Sequence, residues 1–325
     1  MSALPAALRP RGLTWSVLST HRAALRTYAV YVVLCVGALV WLQSYGEEVA
    51  RLSDACEGPV APCVQQLSEL HQAYRYWREL VGASLAHLAV AVAGFAGATL
   101  VARERESGTA ALSWTQSVTP ARWLAAKLAL PALVLVTSMT LLTAVNRWVW
   151  TSGDASGDGM QGHWHDSLTF LSTGPAATAH ALFALVLGAV VGLLLRRTLP
   201  ALGITVGLVV AVQMLAAEFR GALWPTRTVT GPWPVDVPPY AHILESGGVT
   251  ATGERFGIEE CRPFVEPGPE GILTPCIEKR DAVPYLDFHP FSHYWPLQWV
   301  ETGILLAAAG LLTFLAFRLL RRRLP

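Results

Sequence analysis

The sequence predicts an all-α membrane protein of six transmembrane helices. Both termini are placed in the cytoplasm, and a disulfide-pinned extracytoplasmic lobe is placed between helices five and six. Three observations predict this. Hydrophobic residues make up 53% of the 325 and charged residues only 14%, with a mean hydropathy of +0.40. That is too apolar for a soluble domain of this length. Six apolar runs approach the ~20 residues a helix needs to cross ~30 Å of hydrocarbon. Basic residues collect on alternate connectors, as the positive-inside rule requires.

The predicted spans are 24–43, 81–102, 124–145, 176–195, 199–217 and 300–317. The fourth and fifth are separated only by Arg196-Arg197-Thr198, so they form an antiparallel hairpin. Ahead of the first span, Leu13, Val17, Leu18, Ala24 and Leu25 fall on one helical stripe after Pro10 and Gly12. Such a one-sided stripe suits a short helix in the inner headgroup layer. The first run has a basic flank, but Trp41-Leu42-Gln43-Ser44-Tyr45 contains no small-x-small cleavage site, so it reads as an uncleaved anchor. The chain thus divides into a membrane domain (1–217) with a coupling segment at 103–123, a lobe (218–299), and a last span with a basic tail (300–325).

Charge sidedness sets the orientation. With the N-terminus inside, the inner segments hold Arg9, Arg11, Arg22, Arg26, Arg103, Arg105, Arg122, Lys127, Arg196, Arg197, Arg318, Arg321, Arg322 and Arg323. Their only acids are Glu104 and Glu106. The net charge of +1 therefore conceals a basic inner side and an acidic outer side. No basic patch interleaved with aromatics points to nucleic acid. The cysteines agree with the orientation. Cys56 and Cys63 fall in the first outer loop, Cys261 and Cys276 in the last, and none in an inner loop. Two close pairs on an oxidising face read as two disulfides, although other connectivities are open.

The last outer loop holds more than half of the 21 prolines and many glycines. Proline at that density forbids long helices, so a loop-and-strand lobe is expected. Within the spans, Gly188-xxx-Gly192 and Gly203-xxx-Gly207 match the small-residue packing pattern of membrane helices.

The charged connector between spans two and three carries the functional signal. Span two can run on through Arg103-Glu104-Arg105-Glu106 until Ser107-Gly108 breaks it. Thr109 can cap a short helix ending near Trp114. Thr119 then suits the N-cap of span three, with Pro120 at its first helical position. A short helix held between two long ones at the membrane surface can receive force from a soluble partner.

Ala102 to Thr109, followed by Trp114 to Lys127, resembles the permease subunits of type-2 ATP-binding-cassette exporters, in the variants typical of high-GC bacteria. Leu13-Thr14-Trp15 and His21 to Leu25 are similar to the interfacial elbow helix of that family. The resemblance implies a coupling helix at about 104–114 docking on a separate cytosolic ATPase. The coupling residues it marks are Arg103, Glu104, Arg105, Glu106, Gly108, Thr109, Trp114 and Arg122. It further implies a second permease copy, identical or not, a bacterial plasma membrane and outward transport. The large last loop departs from the smallest family members and leaves the cargo open.

Other chemistry is sparse. There is no Gly-x-x-x-x-Gly-Lys-Ser/Thr, so this chain is not expected to bind ATP or to act as an enzyme, and no cofactor is expected. Ser84 and His180, near the outer ends of their spans, would be needed by an intramembrane serine hydrolase, but no orienting acid is visible. An extracytoplasmic sensor using the last lobe is the other non-transport alternative. His163, His165 and Asp166 could join His289 and His293 around zinc, yet the spacings are loose and no metal is expected. His87 and Gln213, with Glu218 near the outer boundary, are polar groups at membrane depth, the usual address of a substrate path.

Overall fold

The computed structural model describes residues 12–56, 61–110, 118–153, 163–232, 235–264 and 273–322. Among them six helices are long and apolar enough to cross a membrane. The chain divides into two compact units. One comprises residues 1–162, 167–215 and 302–325, the other residues 163–166 and 216–301.

Among the described residues, the first unit's regular elements are all helices. A short α1 (Leu13–Thr20) ends at His21, and α2 (Arg22–Ala55) follows. At 34 residues α2 outruns its apolar core. Its distal turns are polar and carry exposed i,i+4 contacts, Gln43 to Glu47 and Arg51 to Glu47, suited to water rather than lipid. A disulfide joins Cys56 to Cys63 where α3 (Ala61–Ala86) begins.

Span two is jointed. After α3 the helix breaks at His87, resumes as α4 (Leu88–Phe95), widens into a π-helical turn (Ala96–Leu100) and ends as α5 (Ala102–Glu106). At the first joint Val90 N–H turns to the His87 carbonyl, so the Ala86 carbonyl loses its helical donor. Gln213 Nε2 supplies a replacement at 3.0 Å. An orphan carbonyl at membrane depth is costly, which accounts for the glutamine there.

Span three is α6 (Pro120–Gly153), with Pro131 in its interior leaving the Lys127 carbonyl without an i+4 donor. A short α7 (Ser167–Ser172) precedes α8 (Ala176–Leu195), and α9 (Thr198–Phe219) completes the hairpin. Helix α8 is the centre of the bundle and is buried almost end to end. Its neighbours approach closely. A Cβ on Gly192 would lie 3.0 Å from Ala102 N and 3.3 Å from Val101 Cβ, so the small residue sets the spacing. A Cβ added at Gly203 or Gly207 would meet nothing within 4 Å, so neither glycine serves such packing within the chain. The last span belongs to α11 (Tyr294–Arg322).

The second unit contains an antiparallel sheet in the order β1-β4-β2-β3, made of β1 (Arg227–Thr230), β2 (His242–Thr250), β3 (Arg255–Gly257) and β4 (Ala282–His289). The all-α class therefore describes the spans, and the strands fall in the lobe, where proline density predicts a loop-and-strand structure. A seven-residue α10 (Leu273–Lys279) is tied by the Cys261–Cys276 disulfide to the 3-10 turn Ile258–Phe264. Two glycines are obligatory in β2. A Cβ on Gly247 would fall 1.9 Å from the Phe256 carbonyl oxygen, and one on Gly248 would fall 2.2 Å from the Phe256 ring.

Candidate functional site

The charged segment after span two is fastened to three spans by three successive side chains. Glu104, one turn beyond the π-helical turn, receives Lys127 Nζ at 2.6 Å and Trp123 Nε1 at 3.3 Å, both from the first turns of α6. Lys127 also stands over the Trp123 ring, 5.2 Å from its centroid. Trp123 and Lys127 are four residues apart, so one helical face presents both to the same carboxylate.

Arg105 turns to α8. Its guanidinium donates to the Leu193 carbonyl at 2.9 Å, near the C-terminal end of that helix, where carbonyls lack helical donors. A cation there also meets the negative end of the helix dipole. The chain then leaves α8 through Arg196 at φ 54°, a left-handed stop occupied here without glycine.

Glu106 turns to α9. Its carboxylate accepts the Thr198 backbone N–H at 2.9 Å and the Thr198 hydroxyl. It thus serves as a helix cap delivered from 92 residues away. Those two hydrogen bonds hold the Glu106 carboxyl below its usual pKa, with a smaller contribution from the Arg197 charge.

Beyond these three anchors the segment faces outward. Arg103, Gly108, Thr109 and Arg122 are exposed. Gly108 has φ +75°, a conformation that favours glycine. The Ser107 and Thr109 hydroxyls share a hydrogen bond at 2.9 Å, and the one left with a free proton can donate to the Glu104 carbonyl, closing the end of α5. Thr119 Oγ1 accepts the Arg122 N–H at 3.4 Å, the cap geometry that the Thr119-Pro120 pair predicts. Trp114, and most of the expected 110–114 helix, lie outside the described residues.

The polar path residues have local partners. His87 Nδ1 lies 2.8 Å from the Ala83 carbonyl, so Nδ1 carries the proton. Gln213 serves the helix break. Ser84 Oγ donates to the Val81 carbonyl at 2.8 Å and receives the Tyr31 hydroxyl at 3.4 Å. None of its described hydrogen-bond partners is an imidazole.

The lobe draws its histidines together, including one that sequence reasoning missed. His165 and His242 stack with centroids 3.9 Å apart, and His163 stacks on His165 at 5.0 Å. His242 is 6.4 Å from His289, whose Nδ1 is 2.9 Å from His293 Nδ1. His289 Nε2 faces the Gly221 carbonyl at 2.9 Å and must donate there. Burial first, then the neighbouring His165 and His289, pushes the His242 pKa down to about 4. Burial likewise lowers His165. Among the described residues no group of three or more His, Cys, Asp or Glu is placed to hold a metal ion. Trp164, fully buried, anchors the 163–166 segment by donating Nε1–H to the Tyr240 carbonyl at 2.7 Å.

Six helices long and apolar enough to cross a membrane, with a polar junction clamped to three of them, make the architecture of a multi-span membrane protein. Residues 28–220 match the family model described as ABC-2 membrane transporter related, which is more than half of the chain. The chain belongs to that family. No curated protein and no solved structure matches it.

Proposed function

We propose that this chain is the permease subunit of an ATP-driven export system and that a separate cytosolic ATPase acts on the 103–123 segment. Family membership and the six apolar helices support the permease role. The observation that carries the coupling reading is the threefold anchorage of Glu104, Arg105 and Glu106 to α6, α8 and α9. A push on the exposed turn at Ser107–Thr109 reaches three spans at once, because each anchor is a charge-assisted contact rather than a loose apolar one. The π-helical turn at Ala96–Leu100 and the break at His87 give span two two places at which to bend.

In this reading ATP closes two ATPase subunits beneath a pair of permease chains. The basic end, with Arg103, Arg122, Arg196 and Arg197, lies in the cytosol, and the sheet-bearing lobe lies outside. Helices α2 and α9 bury little of their apolar surface within the chain, which leaves them free for lipid or a second copy. The two cystine bridges suit an oxidising outer face.

The test is affinity purification of the tagged full chain from its native host. An ATPase bearing a P-loop should copurify in near-equal amount. Recovery of the chain without any ATPase would contradict the proposal. Single cysteines at Gly108 and Gly253, in a background free of native cysteines, test the sidedness. An impermeant maleimide on intact cells should label position 253 and spare 108.

A further inference from the structure

A cavity of about 530 Å³ opens inside the helical unit, where α1, α2, α3, α4, α6 and α8 converge. Its size falls within the range of small-molecule sites, and its walls are predominantly apolar, as such sites are. Pro131 and the turn at His21 both contribute to it.

Two properties define what fits. First, no Asp, Glu, Lys or Arg is among the residues that line it. A charged guest would lose its hydration without gaining a counterion, which is prohibitive at this depth. Second, Tyr28, Tyr31, Ser84 and His87 in the wall have partners, and one buried ring nitrogen has none. Tyr28 Oη pairs with Ser138 Oγ at 2.7 Å, Tyr31 with Ser84, and His87 with the Ala83 carbonyl. His21 Nε2 is buried with no hydrogen-bond partner. Phe95 holds that ring edge-on at 5.4 Å. Burial, and then the nearby Lys127 cation, keeps the His21 imidazole below its usual pKa and hence neutral at pH 7. A neutral ring nitrogen can meet a hydroxyl in either tautomer, because a hydroxyl both donates and accepts. His21 and Tyr31 both line the cavity, and ten residues of helix set them about 15 Å apart.

We propose that this cavity binds an uncharged lipophile bearing a single hydroxyl, with the hydroxyl on His21 Nε2 and the apolar body lying along α2 and α4 toward the Tyr31–Ser84 pair. The same chemistry is offered by a membrane lipid alcohol and by a soluble lipophilic alcohol that partitions into the bilayer.

The test uses the purified full chain in phosphatidylcholine nanodiscs without any ATPase, so its outcome is independent of the coupling proposal. The probe is a hexadecanol analogue carrying a mid-chain diazirine. Its matched controls are the alkane and the carboxylic acid with the same diazirine. Irradiation with the alcohol should place adducts on α4 and on the Leu130–Leu135 stretch of α6, and the acid should label these poorly. His21→Leu should weaken labelling by the alcohol roughly three- to tenfold, the worth of one hydrogen bond, and leave the alkane unaffected. Ala91→Phe and Ala24→Phe, which fill the cavity from two different helices, should each abolish site labelling. Leu199→Phe on the outward face of α9 should not. Melting temperatures identify any variant that fails to fold, and two filling variants keep the test decisive. Labelling spread evenly over the outer faces and indifferent to both filling variants would overturn the proposal. So would equal labelling by the acid and the alcohol. Native mass spectrometry of chain taken from its own membrane separates the two sources. A retained lipid alcohol identifies a resident lipid, and an empty chain that still takes up the probe identifies a visiting compound.

Discussion

Lys127 Nζ and Glu104 Oε1 are 2.6 Å apart, with side chains only 4% and 21% exposed. One partner lies in α6 and the other in α5, so the pair joins the charged segment to the next span. The contact also changes what Glu104 can be used to test. Its charge is committed inside the chain, and reversing it would damage the fold before it altered any docking surface.

Deleting either partner should therefore destabilise the protein, and unequally. Glu104→Leu strands the more deeply buried lysine and should cost about 3 kcal/mol, in the range for breaking a buried pair. Lys127→Met strands a carboxylate that still reaches water and should cost less. Thermal unfolding in detergent, combined in a double-mutant cycle, measures the coupling. A coupling near zero would mean that the pair is incidental.

Glu106 should act as a pH-dependent clasp. Its folded pKa is lowered, so its stabilising contribution is present above the unfolded value of 4.5 and fades as pH falls through the folded pKa. Glu106→Gln should reduce stability at neutral pH and flatten its dependence on pH below 4.5. Amide hydrogen exchange at the start of α9 should quicken in the same variant. Unchanged protection there would remove the capping role.

Gly192 fixes how closely α8 meets α5. Gly192→Leu has no room beside Ala102 and should cost about 1–3 kcal/mol through overpacking. Gly203→Leu and Gly207→Leu meet nothing within 4 Å in the chain and should be neutral in the isolated subunit. Should they disrupt assembly instead, α9 forms the contact with the second copy.

Much of this architecture is legible in the sequence, and the part that is not has a physical reason. Span count follows from hydropathy, and the Thr119-Pro120 start follows from local capping chemistry. The close cysteine pairs follow from short separations. All of these signals lie within a few residues of one another. The Glu106–Thr198 cap spans 92 residues, and no local pattern announces it. Glu104 reads as part of a docking element, and its pairing with Lys127, 23 residues on, has no local pattern to announce it. Proline density argues correctly against long helices in the lobe, but register such as Gly247 opposite Tyr285 depends on strand pairing that a loop-like composition hides. His242 escapes notice because it stands alone in sequence and gains company only when the 163–166 segment folds onto the lobe.

The histidine row should make the lobe acid-sensitive. His242 titrates near 4 when folded and near 6.5 when unfolded, so the unfolded lobe binds the extra proton between these values. Stability should thus fall as pH drops from about 6.5 toward 4 and level off below. Asp166 opposes the shift, while His165, His289 and Arg220 reinforce it. Histidine C2 hydrogen exchange read by mass spectrometry gives the pKa directly. His242→Phe should retain the stack and blunt the acid response. A His242 pKa near 6.5 in the folded protein would refute this.

The central claim is that an ATPase acts on the exposed turn at the end of span two. A photoreactive benzoylphenylalanine in place of Thr109 tests it most directly, in cells that express the native partners. Irradiation should join the chain to a P-loop ATPase, and the same probe at Thr252 in the lobe should not. No ATPase adduct from position 109, or equal adducts from both positions, would contradict the account.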